Sequence, residues 1–568
     1  MEPRCDACRR RRVACIRNSG ETACSLCTHR QTTCTFLAPP PSRKPKGSAS
    51  SSRTRNAPRH YQKSSSERSS STAAPLQSSA TKYKPSGSTI DPTRTFLYAG
   101  SSGNQMLPSL DPLLNLWQES DCLGNSQLVV WKVGQLATPS YLAVVPNGRL
   151  DCHSNMYSSE LEELCWPYHE ELIRLYYKYV HPSYPILGSH TFFETKRRAG
   201  HLPSSLVAVV YMHGAAFWNV SPLAAQHLEP PFPQNLRQQV YSSLTSECRT
   251  PNLAVLQAAL LFMQLPAPKN EPSFSGIWGF ITMTVGMAQD IALHVDPTDW
   301  NISAEECSQR RIVWWAVFVH DIWMSHWLGR PPHISQDYWN VRPLTIEDIS
   351  FGLDNLDNTK LSSAKSFIAL CELTVILRDV LHSFYSIRSG YHAMLPSDAT
   401  NRADVIFKRL EQWSQSDCVP LKTCFPHEYV NHLGACTVCL SVCRAVYGAA
   451  RKEPNSEAQK LMTDRILDTI RSDFLPMLSS IRKTLPQGLW LIYTKGSLAM
   501  VGSLLVAMLG SSIDDVSLRD RHGLLLEFRD TLRDIETRSA GEMGSNDFVQ
   551  LPLKGLDFVI EQCLQDDV

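Results

Sequence analysis

The sequence has no uninterrupted run of about 18 apolar residues, the length a membrane-crossing helix needs. The nearest stretches, 205–220 (broken by His213) and 498–509, read as buried helices, so no membrane partner is expected. No apolar run follows the N-terminal charges, which argues against a secretory signal and an oxidising destination. The GxGxxG and GxxxxGKS/T loops that cradle phosphates are missing, as are HExxH and GxSxG. Their absence removes the commonest nucleotide-binding, zinc-peptidase and serine-hydrolase chemistries. His181, His213 and His294 lack ligand spacing and read as core or surface residues. The chain does not read as an enzyme. Net charge is nearly absent too, at +1.

That last absence is an average. Residues 1–60 carry 13 Lys+Arg against 3 Asp+Glu, a balance of +10, which leaves −9 on the rest. A basic head on an ordinary body is the charge pattern of a nucleic-acid-binding protein. Within 568 residues, 43% apolar content and 13 tryptophans suffice for a large core.

Six of the 18 cysteines fall between residues 5 and 34: Cys5, Cys8, Cys15, Cys24, Cys27 and Cys34, spaced C-x2-C-x6-C-x8-C-x2-C-x6-C. A C-x2-C pair lets two thiolates grip one metal from the start of a helical turn, which suits tetrahedral zinc. One zinc ion takes four sulfurs, so six cysteines serve one ion with two spare, or two ions sharing a pair. The repeated half-motif favours sharing. The competing reading is a three-disulfide knot, which needs an oxidising compartment and leaves the intervening arginines unexplained. The other twelve cysteines are scattered, in keeping with a reducing nucleus or cytosol.

The stretch CDACRRRRVACIRNSGETACSLCTHRQTTC resembles the fungal zinc binuclear cluster (Zn2Cys6) DNA-binding domain. The resemblance implies two Zn2+ ions per chain, with Cys5 and Cys24 bridging both. Cys8 and Cys15 would complete one tetrahedron, and Cys27 and Cys34 the other. It also implies that Arg9, Arg10, Arg11 and Arg12 meet double-stranded DNA, where family members read CGG-type triplets. Guanidinium groups suit that task, because they chelate phosphate or pair with the O6/N7 edge of guanine. Two positions depart from the family. Ala14 stands where many members carry lysine, and the loop 16–23 lacks the frequent proline, although Gly20 can make its turn. So short a segment cannot bury enough to fold alone, and metal supplies its folding energy, on the order of 10 kcal/mol or more.

Residues 38–103 are dominated by Ser, Pro, Arg and Lys and read as a disordered linker. No heptad pattern lies between 35 and 106, so either the body supplies a homodimer contact or the protein binds DNA as a monomer. Residues 104–159 form a connector, in which 128–132 is either a strand or an extended piece. From 160 to 540, apolar residues recur at three- and four-residue steps. The blocks are 161–179, 206–218, 236–247, 253–263, 276–294, 308–328, 364–387, 403–415, 427–450, 458–484, 493–509 and 518–535. The fold class is therefore a small zinc domain and a large, mostly all-α regulatory domain, joined by a disordered linker. Residues 541–568 alternate acidic and bulky apolar groups, and read as a closing helix or an activation segment.

The stretches ELIRLYYKYVHPSYPIL (171–187) and QRRIVWWAVFVHDIWMSHWLGRPPHI (309–334) resemble the fungal-specific transcription factor domain. Arg310, Arg311, Trp314, Trp315, Phe318, Asp321, Gly329, Arg330 and Pro331 match its pattern. DIALHVDPTDWNI (290–302) is similar to the branch containing nitrogen-catabolism regulators. In the tryptophan helix, Trp315, Val319 and Trp323 share one face, with Trp314, Phe318 and Ile322 beside it. Arg310, Arg311 and Asp321 need partners if buried. Gly329 and Pro331-Pro332 should end the helix, unless Arg330 instead lines a pocket for a small-molecule effector. Cys436, Cys439 and Cys443 lie on one helical stripe and read as packed hydrophobes rather than metal ligands. The function expected is nuclear, sequence-specific regulation of RNA polymerase II transcription, working with the transcription machinery or co-regulators. The alternative is a co-regulator that acts through another DNA-bound factor.

Overall fold

The three- and four-residue spacing of apolar side chains becomes helix from His169 onward. The computed structural model describes residues 5–6, 23–24, 27, 33–35, 94–99, 129–133, 140–146, 165 and 168–563. The last span has gaps at 227–235, 267–275, 301, 351–356, 389, 391–393, 420–423, 452–456, 511–513 and 540–547. The chain divides into two units, 1–80 and 81–568.

The second unit opens with three strands, β1 (Arg94–Ala99), β2 (Val129–Val133) and β3 (Ser140–Pro146). They form an antiparallel sheet in the order β1-β3-β2, with Phe96 opposite Val144 and Trp131 opposite Leu142. β1 lies inside the segment expected to be linker, which corrects that boundary. Its RTFLYA run is rich in β-formers but too short to stand out beside a serine-rich stretch. Tyr98 meets His294 edge-on at 4.6 Å, which seats the sheet on the helical body.

The helices that follow are α1 (His169–Tyr179), α2 (His190–Arg198), α3 (Ser204–Ala215), α4 (Leu236–Glu247), α5 (Leu253–Met263), α6 (Ile277–Asp290), α7 (Ala304–Leu328), α8 (Ile346–Ser350), α9 (Asn358–Val380), α10 (Pro396–Ser414), α11 (Pro426–Ala450), α12 (Glu457–Asp468), α13 (Leu475–Thr484), α14 (Thr494–Leu509), α15 (Asp515–Ser539) and α16 (Gln550–Cys563). Several begin on a side chain that takes up an orphan amide. Ser189 accepts from the Phe192 N–H, Asn252 from Val255, Ser303 from Glu306 and Asp357 from Lys360, at 2.8–3.2 Å. Two expected blocks differ in detail. α9 runs into a π-helical turn at Leu381–Tyr385, and the block at 458–484 is split into α12 and α13 by a π-helical turn at Thr469–Phe474. α2, HTFFETKRR, was not anticipated, because only Phe193 in it is buried.

Two long helices carry the core. In α7 every residue from Cys307 to Ser325 is buried, so the tryptophan helix is enclosed all round rather than on one face. It packs on α5, α6 and α9. Trp315 Nε1 donates to the Arg342 carbonyl at 2.9 Å, and Trp323 Nε1 to Thr374 Oγ1 at 2.9 Å. The Trp323 ring stacks on Tyr493 at 5.2 Å. Gly329 ends the helix in the left-handed region (φ 63°), and the Arg330 N–H bonds back to the Ser325 carbonyl, as the sequence implied.

The second long helix, α11, is among the described helices the one long and apolar enough to cross a membrane. It is 72% buried over that window. Enclosed by α9, α10, α12 and α14, it is a core helix. Gly434 lets it approach α7, since a Cβ there would lie 3.0 Å from both Trp323 and Leu373. The chain closes with α16, whose Leu553 and Leu556 are buried, after Phe548 has stacked on Trp490 at 4.1 Å.

Candidate metal centre and the charged clamp of the helical body

In the first unit the structure brings together the sulfurs of Cys5, Cys24, Cys27 and Cys34, all within 4.8 Å of one another. Cys5, Cys24 and Cys27 are buried. The Sγ of Cys5 lies 3.8 Å from that of Cys24 and 3.7 Å from that of Cys27. These separations decide between the two sulfur chemistries. A disulfide needs about 2.05 Å. A tetrahedron with Zn–S bonds of about 2.3 Å has edges of about 3.8 Å. The four thiols are therefore spaced as ligands of one tetrahedral ion.

Their surroundings suit a thiolate centre. The Cys24 N–H donates to Cys34 Sγ at 3.4 Å, a bond that favours negative charge on sulfur. The ends of the segment are tied by two bonds that sequence reasoning missed. The Asp6 N–H donates to the Thr35 carbonyl at 2.7 Å, and Thr35 Oγ1 donates to Asp6 Oδ2 at 2.9 Å. One aspartate between two cysteines gives no periodic signal, so nothing in the pattern marked it. Cys8, Cys15, Ala14 and Arg9–Arg12 lie outside the described residues.

In the body, the charged residues singled out on α7 all find partners. Arg310 donates to the Ile291 carbonyl at 3.0 Å and to Glu306 at 3.3 Å, with its guanidinium 5.0 Å from the Trp300 ring. Asp321, fully buried, accepts from the backbone amides of His333 and Ile334 and from His333 Nδ1 at 2.7 Å. Arg311 donates to Asp296, Thr298 and Asp348 at 2.8–3.2 Å. Asp348 also receives both terminal nitrogens of Arg342, at 2.7 and 2.9 Å, and the Thr345 amide at 3.0 Å. Burial by itself would raise the Asp348 carboxyl, but Arg342, the Thr345 amide and Arg311 hold it below its ordinary value. This two-arginine, two-aspartate clamp pins residues 294–300 and 340–350 to the start of α7. Arg330 is exposed, with its guanidinium 5.4 Å from the Trp278 ring. Cys436, Cys439 and Cys443 lie along α11 as expected, the first and last buried. Among the described residues the four N-terminal cysteines are the only group spaced to hold a metal.

Residues 173–415, which include α7 and the whole clamp, match the fungal specific transcription factor domain. The chain carries that domain. An uncharacterized transcriptional regulatory protein of Schizosaccharomyces pombe is 26% identical over 68% of this chain and 64% of its own length. The transcriptional activator protein DAL81 of Saccharomyces cerevisiae is 25% identical over 36% of this chain and 21% of its own. The nitrogen assimilation transcription factor nit-4 of Neurospora crassa is 27% identical over 29% of this chain and 16% of its own. The chain thus spans less than two thirds of these relatives. No solved structure matches it. Arg310, Arg311, Trp314, Trp315 and Asp321 fall inside the matched segment.

Proposed function

We propose that the chain is a nuclear, DNA-binding regulator of RNA polymerase II transcription, a pathway-specific activator of metabolic or secondary-metabolite genes that recognises CGG-type triplets. The observation that carries this reading is the fungal domain at 173–415 on a chain whose N-terminal sulfurs converge at ligand spacing. Relatives named as transcriptional activators and regulators support it. Cys5, Cys24, Cys27 and Cys34 hold one zinc ion, and Cys5 and Cys24 are shared with a second held by Cys8 and Cys15. Zinc supplies folding free energy here and no reaction chemistry. Arg9–Arg12 reach the major groove, where bidentate pairing to guanine gives specificity and phosphate contacts give affinity. The partners that go with this reading are duplex DNA, a second copy met through the helical body, and the transcription machinery or its co-regulators. A small-molecule effector of the body belongs to the same reading.

Selection of binding sites from random duplexes by the full chain, with and without a zinc chelator, tests it. The expected result is close to two zinc ions per chain by elemental analysis, enriched CGG triplets, and loss of binding on chelation. Recovery of one zinc ion would reject the shared pair. Salt-sensitive but sequence-blind binding would favour the co-regulator acting through another DNA-bound factor.

A further inference from the structure

One face of α6 stays at the surface with almost no charge on it. The helix packs on α5, α7 and β1, with Phe280, Ile281, Val285 and Ala288 buried. Gly279, Thr282, Met283, Gly286 and Asp290 follow at i, i+3, i+4, i+7 and i+11, one stripe on the opposite side. Of these, Gly279, Thr282 and Asp290 are exposed. From Ile277 to Gln289 the helix has no charged residue. A solvated helix face normally carries several. The core of a contact between chains is depleted in them and enriched in Trp, Met and Arg.

A cation and an aromatic ring stand at one end of the stripe. The Trp278 and His333 rings lie 4.3 Å apart. His333 Nε2 is 2.8 Å from Thr282 Oγ1, and its Nδ1 is 2.7 Å from the buried Asp321. The guanidinium of the exposed Arg330 sits over the Trp278 ring at 5.4 Å. Asp321 and Thr282 fix His333, which in turn backs Trp278, so little ordering remains for a partner to impose. Among the described residues no carboxylate pairs with Arg330. At the other end of the stripe no cation pairs with Asp290, whose carboxyl is raised by the desolvation its neighbours impose. Trp278 and Asp290 are about 18 Å apart along the helix axis, at about 1.5 Å per residue.

We propose that this face of α6 is the contact of a homodimer, in which two copies of the helix cross antiparallel about a two-fold axis. Opposite unpaired charges at opposite ends of one uncharged stripe are what a self-contact requires. With the axis level with Thr284, Arg330 of each copy meets Asp290 of the other, twice per dimer. Thr282 of one copy then stands level with Gly286 of the other. A Cβ added at Gly279 or Gly286 would meet nothing within 4 Å, so the two backbones can approach there. A parallel pairing would instead bring like charges together. The contact gives a place to the second copy that the regulator reading above assigns to the helical body.

Light scattering on the zinc-loaded full chain, without DNA, tests the proposal. The expected mass is twice the 63.8 kDa of one chain. Gly286→Arg fills open space, so it should leave helix content and folded yield unchanged while weakening association at least about tenfold. Arg330→Glu and Asp290→Arg each set like charges together twice per dimer, and each alone should weaken association about tenfold. Mixed in equal amounts, the two variants should associate as tightly as the native chain, because both pairs between unlike copies are again opposite in charge. A contact elsewhere on the chain would not show that rescue. A chain that stays monomeric, a dimer that survives Gly286→Arg, or no recovery on mixing would overturn the proposal. Triplet selection and zinc content are read separately, so a monomer that still selects CGG triplets would sink the contact and leave the regulator reading standing.

Discussion

The clamp on α7 makes a prediction whose size follows from its geometry. Asp348→Asn keeps the shape of the side chain but removes the charge that Arg311 and Arg342 share, and turns one acceptor oxygen into a donor facing theirs. Arg311 is 6% and Asp348 3% exposed at the side chain, so their pair cannot exchange its partner for water. Breaking such a buried pair from one side costs about 3–5 kcal/mol. Arg311 keeps Asp296 and Thr298, which puts the expectation at the low end, about 3 kcal/mol. Arg342 is 40% exposed, and without it Asp348 keeps Arg311 and the Thr345 amide, so Arg342→Ala should cost less, about 1–2 kcal/mol. For a body of about 400 residues, with an unfolding entropy of about 2.1 cal/mol/K per residue, 3 kcal/mol corresponds to a fall of roughly 3–4 °C in the unfolding midpoint. Tryptophan fluorescence, scanned at a fixed rate because large proteins often unfold irreversibly, reads this directly. The pH dependence has a definite sign. The folded Asp348 carboxyl is depressed, so its contribution is complete above the unfolded value of about 3.9 and is lost as pH falls through the folded value. The gap between the native chain and Asp348→Asn should be constant from pH 5 to 8 and close only in stronger acid. A fall under 2 °C at pH 7, or an equal fall for Arg342→Ala, would refute the argument.

Two glycines in helices should respond to the same substitution with opposite sign. At Gly214 an added Cβ would sit 2.1 Å from the Leu172 carbonyl oxygen, so Gly214→Ala must drive α3 off α1. The loss should exceed the gain in helix propensity and amount to about 2 kcal/mol or more in a chemical melt. At Gly523, exposed within α15, nothing lies within 4 Å, and Gly523→Ala should stabilise by about 0.5–1 kcal/mol. Trp315→Ala empties a site only 4% exposed and should cost about 3–5 kcal/mol, lowering the folded yield of the body in a solubility assay. Removing zinc should leave the body's unfolding midpoint within about 1 °C, because the body's stability comes from apolar burial.

Much of this architecture was legible because its determinants are close together in sequence. The block at 253–263 became α5 at those same residues, since Asn252 caps it and LAVLQAALLFM has no competing period. Gly329 could be read as a helix stop because one residue decides that conformation. The convergence of Cys5, Cys24, Cys27 and Cys34 could be read because their spacing is a short-range constraint and needs only one loop to close. The β1 strand and α2 were harder. Each is short, and each takes its stability from what it packs against rather than from its own pattern.

What could not be read is what pairs across long separations. The need for a counter-charge on Arg311 was plain from its place in an apolar helix. Its identity was not, since Asp348 lies 37 residues away and nothing in its own sequence neighbourhood distinguishes it from any other carboxylate of the chain. The cysteine stripe makes the same point about chemistry. C-x2-C-x3-C on an apolar helix reads as packing, and for Cys436 and Cys443 packing is what the structure shows. Cys439 differs in keeping part of its surface exposed and in the Thr469 hydroxyl that the π-helical turn brings to 3.8 Å of its sulfur across 30 residues. Periodicity can say which face of a helix is turned inward. What a buried side chain meets there depends on what the facing helix presents, and that is a property of the fold.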